Sequence, residues 1–148
     1  MAIGQNYKTN ESIWDKYICS SIVDSNIVWS ASQSQALPLK TPIHVITAFN
    51  PFGKVLTSEE NNQRNRSLQE HIETLNFEFK PVIGRSANGD WQEKSFAIYG
   101  FTRSQACDLA QAFDQRAIFE VTEKELLVID ANSYQLKRHR PRQIDWAF

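Results

Sequence analysis

The sequence predicts an α+β domain, and three observations between Ile43 and Val121 predict it. Apolar and amphipathic segments follow one another there in the order strand, helix, strand, strand, helix, strand. Two capping boxes, Thr57 with Glu60 and Thr102 with Gln105, mark where the two helices begin. Pro81 falls inside the strand after the first helix, and a proline that cannot donate to a ladder belongs at a sheet edge. This order is the split βαβ pattern of the ferredoxin-like fold (βαββαβ), which places that strand at an edge. An N-terminal helix and strand precede the core, and an extra C-terminal strand follows it.

Residues 1–10 are polar and read as a peripheral tail. Ser12 is placed to cap a short helix with Ile13, Trp14, Tyr17 and Ile18 along one side. Ile27 to Ser30 reads as a strand, and the Ser-, Gln- and Pro-containing stretch up to Pro42 as a surface connection. Ile43 to Phe49 is apolar on both faces, as a central strand is, and Asn50-Pro51 ends it. The first core helix runs to about Leu75, with Asn76 closing it. Phe77 to Ile83 and Trp91 to Tyr99 are strands, with a hairpin signal at Asn88-Gly89. The stripe Ala106, Leu109, Ala110 and Phe113 is the second core helix, and Ala117 to Val121 and Leu126 to Ile129 are the final strands. Residues 137–148 trail as a second tail.

A length of 148 residues suits a single domain with a sizeable core. The formal net charge of −1 gives no global attraction to nucleic acid or anionic lipid, so binding of either needs a local patch. Cys19 and Cys107 make neither a disulfide framework nor a zinc spacing, and His44, His71 and His139 have no metal-ligand spacing. No metal and no cofactor are therefore expected. Gly53-Lys54 lacks the rest of a phosphate loop, and no Gly-x-Ser-x-Gly turn occurs. With no leader pattern and no long apolar run, the expected location is the cytoplasm.

The functional clue is a helix face. Leu68, Ile72 and Leu75 lie at i, i+4 and i+7, and the same stripe extended backwards reaches Asn65 and Asn61. A buried unpaired amide costs roughly 1–3 kcal/mol, so both need partners, either in the preceding loop or in a ligand. The ferredoxin-like topology would gather Asn50, Asn61, Asn65, Trp91, Glu93 and Gln115 at one edge, beside a helix N-terminus that favours anions. Glu93 is the one candidate there for acid–base catalysis, against an ordinary ion pair with Arg64, Arg66 or Lys94. The reading is a binding protein for a small polar or anionic, nucleotide-like ligand, with no reaction assigned. A separate basic run, Lys137, Arg138, Arg140 and Arg142, supports an alternative nucleic-acid accessory role, against a solvated tail. The apolar end Ile144, Trp146 and Phe148 supports a third, as a module that docks on a protein partner.

Four segments, ITAFNPFG, SEENNQRNRSLQEHI, WQEKSFAIYGF and LAQAFDQRAIFEV, together resemble a bacterial family of uncharacterised proteins grouped as a domain of unknown function, label 3293. The resemblance covers about Ile43 to Val121 and implies no known activity. In that family the second helix ends Phe-Gly-Gln, where this chain has Phe113-Asp114-Gln115.

Overall fold

The computed structural model describes residues 10–24, 27–29, 37 and 39–141. In chain order these form α1 (Asn10–Ile18), β1 (Ser21–Asp24), β2 (Ile27–Trp29), β3 (Ile43–Ile46), α2 (Ser58–Leu75), β4 (Phe79–Arg85), β5 (Gln92–Tyr99), α3 (Arg103–Ala112), β6 (Ala117–Val121), β7 (Glu125–Asp130) and β8 (Leu136–Pro141). The strands make one sheet in the order β2-β1-β4-β5-β3-β6-β7-β8, with every pairing antiparallel. The protein is thus α+β.

Strand alternation divides the interior into two cores. Ile43, Val45, Ala97 and Phe119 face α1 and pack with its Trp14, Tyr17 and Ile18. Ile46, Phe96, Ile98 and Ile118 face the other way, against Leu68 and Ile72 of α2 and Ala106, Leu109 and Ala110 of α3. Leu68 and Ile72 are fully buried and each contribute about 1.5–3 kcal/mol to holding α2 on the sheet. Both capping boxes form, and Asn76 closes α2 in the left-handed conformation at φ 61.

Several expectations need correction. Leu75, assigned to the buried stripe, is exposed in the last turn of α2. The central strand stops at Ile46 rather than Phe49, because α2 side chains take over its backbone: Ala48 N–H donates to Asn65 and Ala48 C=O accepts from Arg64. β4 is no edge strand, since β1 pairs with it from Ile83 to Arg85. Pro81 is tolerated because that pairing ends at Ile83, leaving its missing N–H without a partner to lose. β1 itself was not foreseen. The stretch expected to begin the basic tail is instead the edge strand β8, paired with β7. Residues 1–9, Ser30, Arg142 and the Ile144, Trp146, Phe148 end lie outside the described residues.

Candidate functional site

Asn50, Asn61 and Glu93 do converge. Asn50 adopts φ 47, and its backbone N–H donates to Asn61 Oδ1 at 2.9 Å. Asn50 Oδ1 accepts from Leu56 N–H at 3.0 Å and from Asn61 Nδ2 at 2.8 Å, while Asn50 Nδ2 donates to Glu93 Oε2 at 3.1 Å. Asn65 Oδ1 accepts from Ala48 N–H at 3.1 Å. Gln115 Nε2 reaches Phe49 O at 3.0 Å and Phe113 O at 3.1 Å. These bonds sew the loop after β3 to α2 and to the turn after α3. Asn50 and Asn61 are satisfied within the protein, so they act as a clasp on the loop.

Glu93 is buried on the α1 side of the sheet, where its Oε2 accepts from Asn50 Nδ2. Nearby, burial pushes the Tyr17 hydroxyl up to about 12, with the hydrogen-bonded Arg116 guanidinium opposing the rise and the Glu93 charge adding to it. Glu93 lines none of the three cavities described below. Trp91 is half-buried at the base of the β4–β5 hairpin, where its backbone N–H donates to Ser86 Oγ at 3.1 Å.

The basic residues of β8 are turned to structure. Arg138 Nε donates to Asp15 Oδ1 at 2.7 Å, Lys137 Nζ lies 5.8 Å from the Trp14 ring centroid, and Arg140 approaches Cys19 Sγ at 3.7 Å. They tie α1 to the sheet edge.

The face of α2 next to the clasp is different. Asn62, Asn65, Arg66 and Gln69 recur at i, i+3, i+4 and i+7 and overhang a groove of about 700 Å³. Its floor and far wall are Phe96, Pro81 and Ile83, with Lys94 on β5, while Val82 and Asp24 border it from positions that alternate toward the α1 side. The groove exists because α2 rests on β5 while β1 ends beside Pro81. Among the described residues neither Arg66 nor Lys94 has an ion-pair partner. Asp24 is 3% exposed and lies 2.9 Å from Lys80 Nζ. Asn65 alone of the expected residues lines this groove.

A second cleft, of about 610 Å³, lies over His44, Arg103 and Glu120. His44 and Glu120 are register partners across β3 and β6, with Nε2 2.8 Å from Oε1. Arg103 binds the same carboxylate through two contacts, 3.1 Å to Oε1 and 2.8 Å to Oε2. Burial alone would raise Glu120, but the hydrogen bonds and charges of His44 and Arg103 outweigh it and hold the carboxyl at about 2. Burial pushes the Cys107 thiol up to about 11, so it is no activated nucleophile. A third hollow of about 380 Å³ lies on α2 around Arg64 and Ser67.

Sequence reading missed both the His44–Glu120–Arg103 cluster and Asp24. The available signal was a lone ionisable residue in each of three apolar strands: His44 in IHVI, Glu120 in AIFEV and Asp24 in SIVD. Among the described residues no group of three His, Cys, Asp or Glu side chains is arranged to hold a metal, and no helix is long and apolar enough to cross a membrane.

No curated protein and no solved structure matches the chain. Residues 46–118, from the end of β3 into β6, match the family model described as "Protein of unknown function (DUF3293)", and over that stretch the chain is similar to this family.

Proposed function

We propose that the protein binds a small anionic, nucleotide-like ligand in the groove between α2 and the β4–β5 pair. The observation that supports this is the α2 face Asn62, Asn65, Arg66 and Gln69, set across from Lys94 above an apolar floor. Two cations without ion-pair partners among the described residues give the groove a positive field, the amides supply directional donors and acceptors, and Pro81 and Phe96 supply surface for a flat apolar body. Its volume is in the range that suits such a ligand. Binding is the function; no group in the groove is arranged as a nucleophile with its base.

The same proposal takes the four strands β4-β5-β3-β6, with α2 and α3 on one face, as a ferredoxin-like βαββαβ core within the larger sheet, and takes the setting as cytoplasmic. Nucleic-acid binding through Lys137, Arg138 and Arg140 is the weaker reading, because their contacts with α1 compete with phosphate. The test is calorimetric titration of the full chain with nucleotides, sugar phosphates and short oligonucleotides, repeated with Arg66→Ala and Lys94→Ala. Binding of a mononucleotide that weakens about tenfold or more in each variant supports the groove. Unchanged affinity in both variants refutes it.

A further inference from the structure

Resting on that reading, we infer that Asn65 fixes where the ligand's phosphate sits: its Nδ2 donates to a phosphoryl oxygen in a subsite that Arg66 and Lys94 complete, at the end of the groove where β3 leaves the sheet. Asn65 is only 7% exposed and lines the groove. Its Oδ1 accepts from Ala48 N–H at 3.1 Å, and a backbone N–H can only donate, so the amide is locked with its oxygen toward Ala48 and Nδ2 turned away. Nδ2 makes no hydrogen bond with any described residue. Among the described residues the side-chain atoms both closed to solvent and without a partner are Asp24 Oδ2 and His44 Nδ1, so Asn65 Nδ2 keeps an opening, and the groove is the cavity that Asn65 lines. Ala48 has already ordered this side chain, so a ligand oxygen that reaches Nδ2 gains a hydrogen bond at little entropic cost.

Two cations stand at the same end. Arg66 follows Asn65 on α2. Lys94 is tied to the loop that holds Asn65, since its C=O accepts from Thr47 Oγ1 at 2.6 Å, one residue before Ala48. Strand alternation puts the Lys94 side chain on the α2 face with Phe96 and Ile98. Neither cation has an ion-pair partner among the described residues. Asn65 Nδ2, the Arg66 guanidinium and the Lys94 ammonium all donate. Such a set fits an ionised phosphoryl group, whose oxygens all accept, better than a base edge or a sugar, which mix donors with acceptors. Pro81 and Phe96 continue the groove and take the apolar body.

The experiment is calorimetry on the full chain with AMP, GMP, CMP and UMP and with their nucleosides, in the native protein, Asn65→Asp and Arg66→Ala. The aspartate keeps an oxygen for Ala48 N–H and replaces the donor with a charged acceptor. A monophosphate is expected to bind the native chain about tenfold or more tightly than its nucleoside, and to lose about tenfold or more in Asn65→Asp while circular dichroism remains native. Monophosphate binding that survives Asn65→Asp and is lost in Arg66→Ala overturns the role of Asn65 and leaves the groove standing. Binding unchanged in both variants, or no binding at all, overturns both. Should Asn65→Asp fail to fold, the side-chain NH2 resonances of Asn65 in the native protein decide the matter. Saturating monophosphate shifts them if Nδ2 holds the phosphate, and resonances that stay in place overturn the inference.

Discussion

Replacing Glu120 with Gln should remove a defined part of the protein's response to acid. In the native fold, hydrogen bonds and charge from His44 and Arg103 hold the Glu120 carboxyl at about 2, well below its ordinary 4.5. At 1.36 kcal/mol per unit this corresponds to at most roughly 3 kcal/mol, and the 39% exposure of the Arg103 side chain screens it to about 2–3 kcal/mol. Because the folded value is the lower one, the unfolded chain binds the extra proton. The stabilisation is therefore complete above about pH 4.5 and is lost as pH falls from there to about 2. Urea unfolding followed by tryptophan fluorescence between pH 7 and pH 2.5 reads this directly, as a midpoint that falls by about 1–2 M. Glu120→Gln should start lower at pH 7 by about 3–5 kcal/mol, since Arg103 and His44 lose their shared partner, and should then show a flatter acid limb. An acid limb just as steep in the variant would refute the assignment of that response to Glu120.

Asn65→Leu leaves the buried Ala48 N–H without its acceptor, so it should lower stability by about 1–3 kcal/mol in the same urea assay, despite the hydrophobic gain on a core-facing stripe. Phe52→Gly should do the opposite: Phe52 has φ 49 and is 55% exposed, so glycine relieves left-handed strain of about 1 kcal/mol and gives up little burial. At Gly100, with φ +100, an added Cβ would lie 2.8 Å from Phe77 Cδ1, and Gly100→Ala should destabilise by more than about 1 kcal/mol. A disulfide-exchange reagent should titrate the exposed Cys19 in the native protein and the buried Cys107 only after denaturant is added.

What the sequence made legible is what local chemistry decides. The capping boxes at Thr57 and Thr102 and the closing Asn76 each involve residues within a few positions of one another, and all three form as read. Pro81 shows the limit of such reasoning. The proline rule forbids a ladder partner at one position, yet β4 is flanked by β1, which pairs only from Ile83 onward. Strand β8 was hidden for a related reason. A run of Lys137, Arg138 and Arg140 reads as solvated because charge repels, and only the distant α1, with Asp15 and Trp14 in reach, makes it a strand edge worth ordering. Asp114 illustrates the reverse case: it adopts φ 57, a left-handed conformation that the Phe-Gly-Gln ending implied by the resemblance would fill with glycine without strain.

The amides of α2 explain why the expected site and the groove are neighbours rather than the same place. Asn61 and Asn65 continue the stripe of Leu68 and Ile72, and the spacing correctly put them inside. Inside, however, the nearest donors and acceptors belong to the loop after β3, whose backbone has left the sheet and needs partners of its own. Satisfying that loop is the first claim on both side chains. One step around the helix, Asn62, Arg66 and Gln69 face a gap that β1 and Pro81 leave beside β5, and there the polar groups have no such claim upon them. Asn65 stands on the boundary and takes part in both. Loss of the clasp through Asn61→Ala should therefore show first as instability, and loss of Arg66 first as weakened ligand binding on an intact fold. A chain in which Arg66→Ala unfolds the protein as readily as Asn61→Ala would show that the two faces are one structural unit and would remove the physical basis for a separate groove.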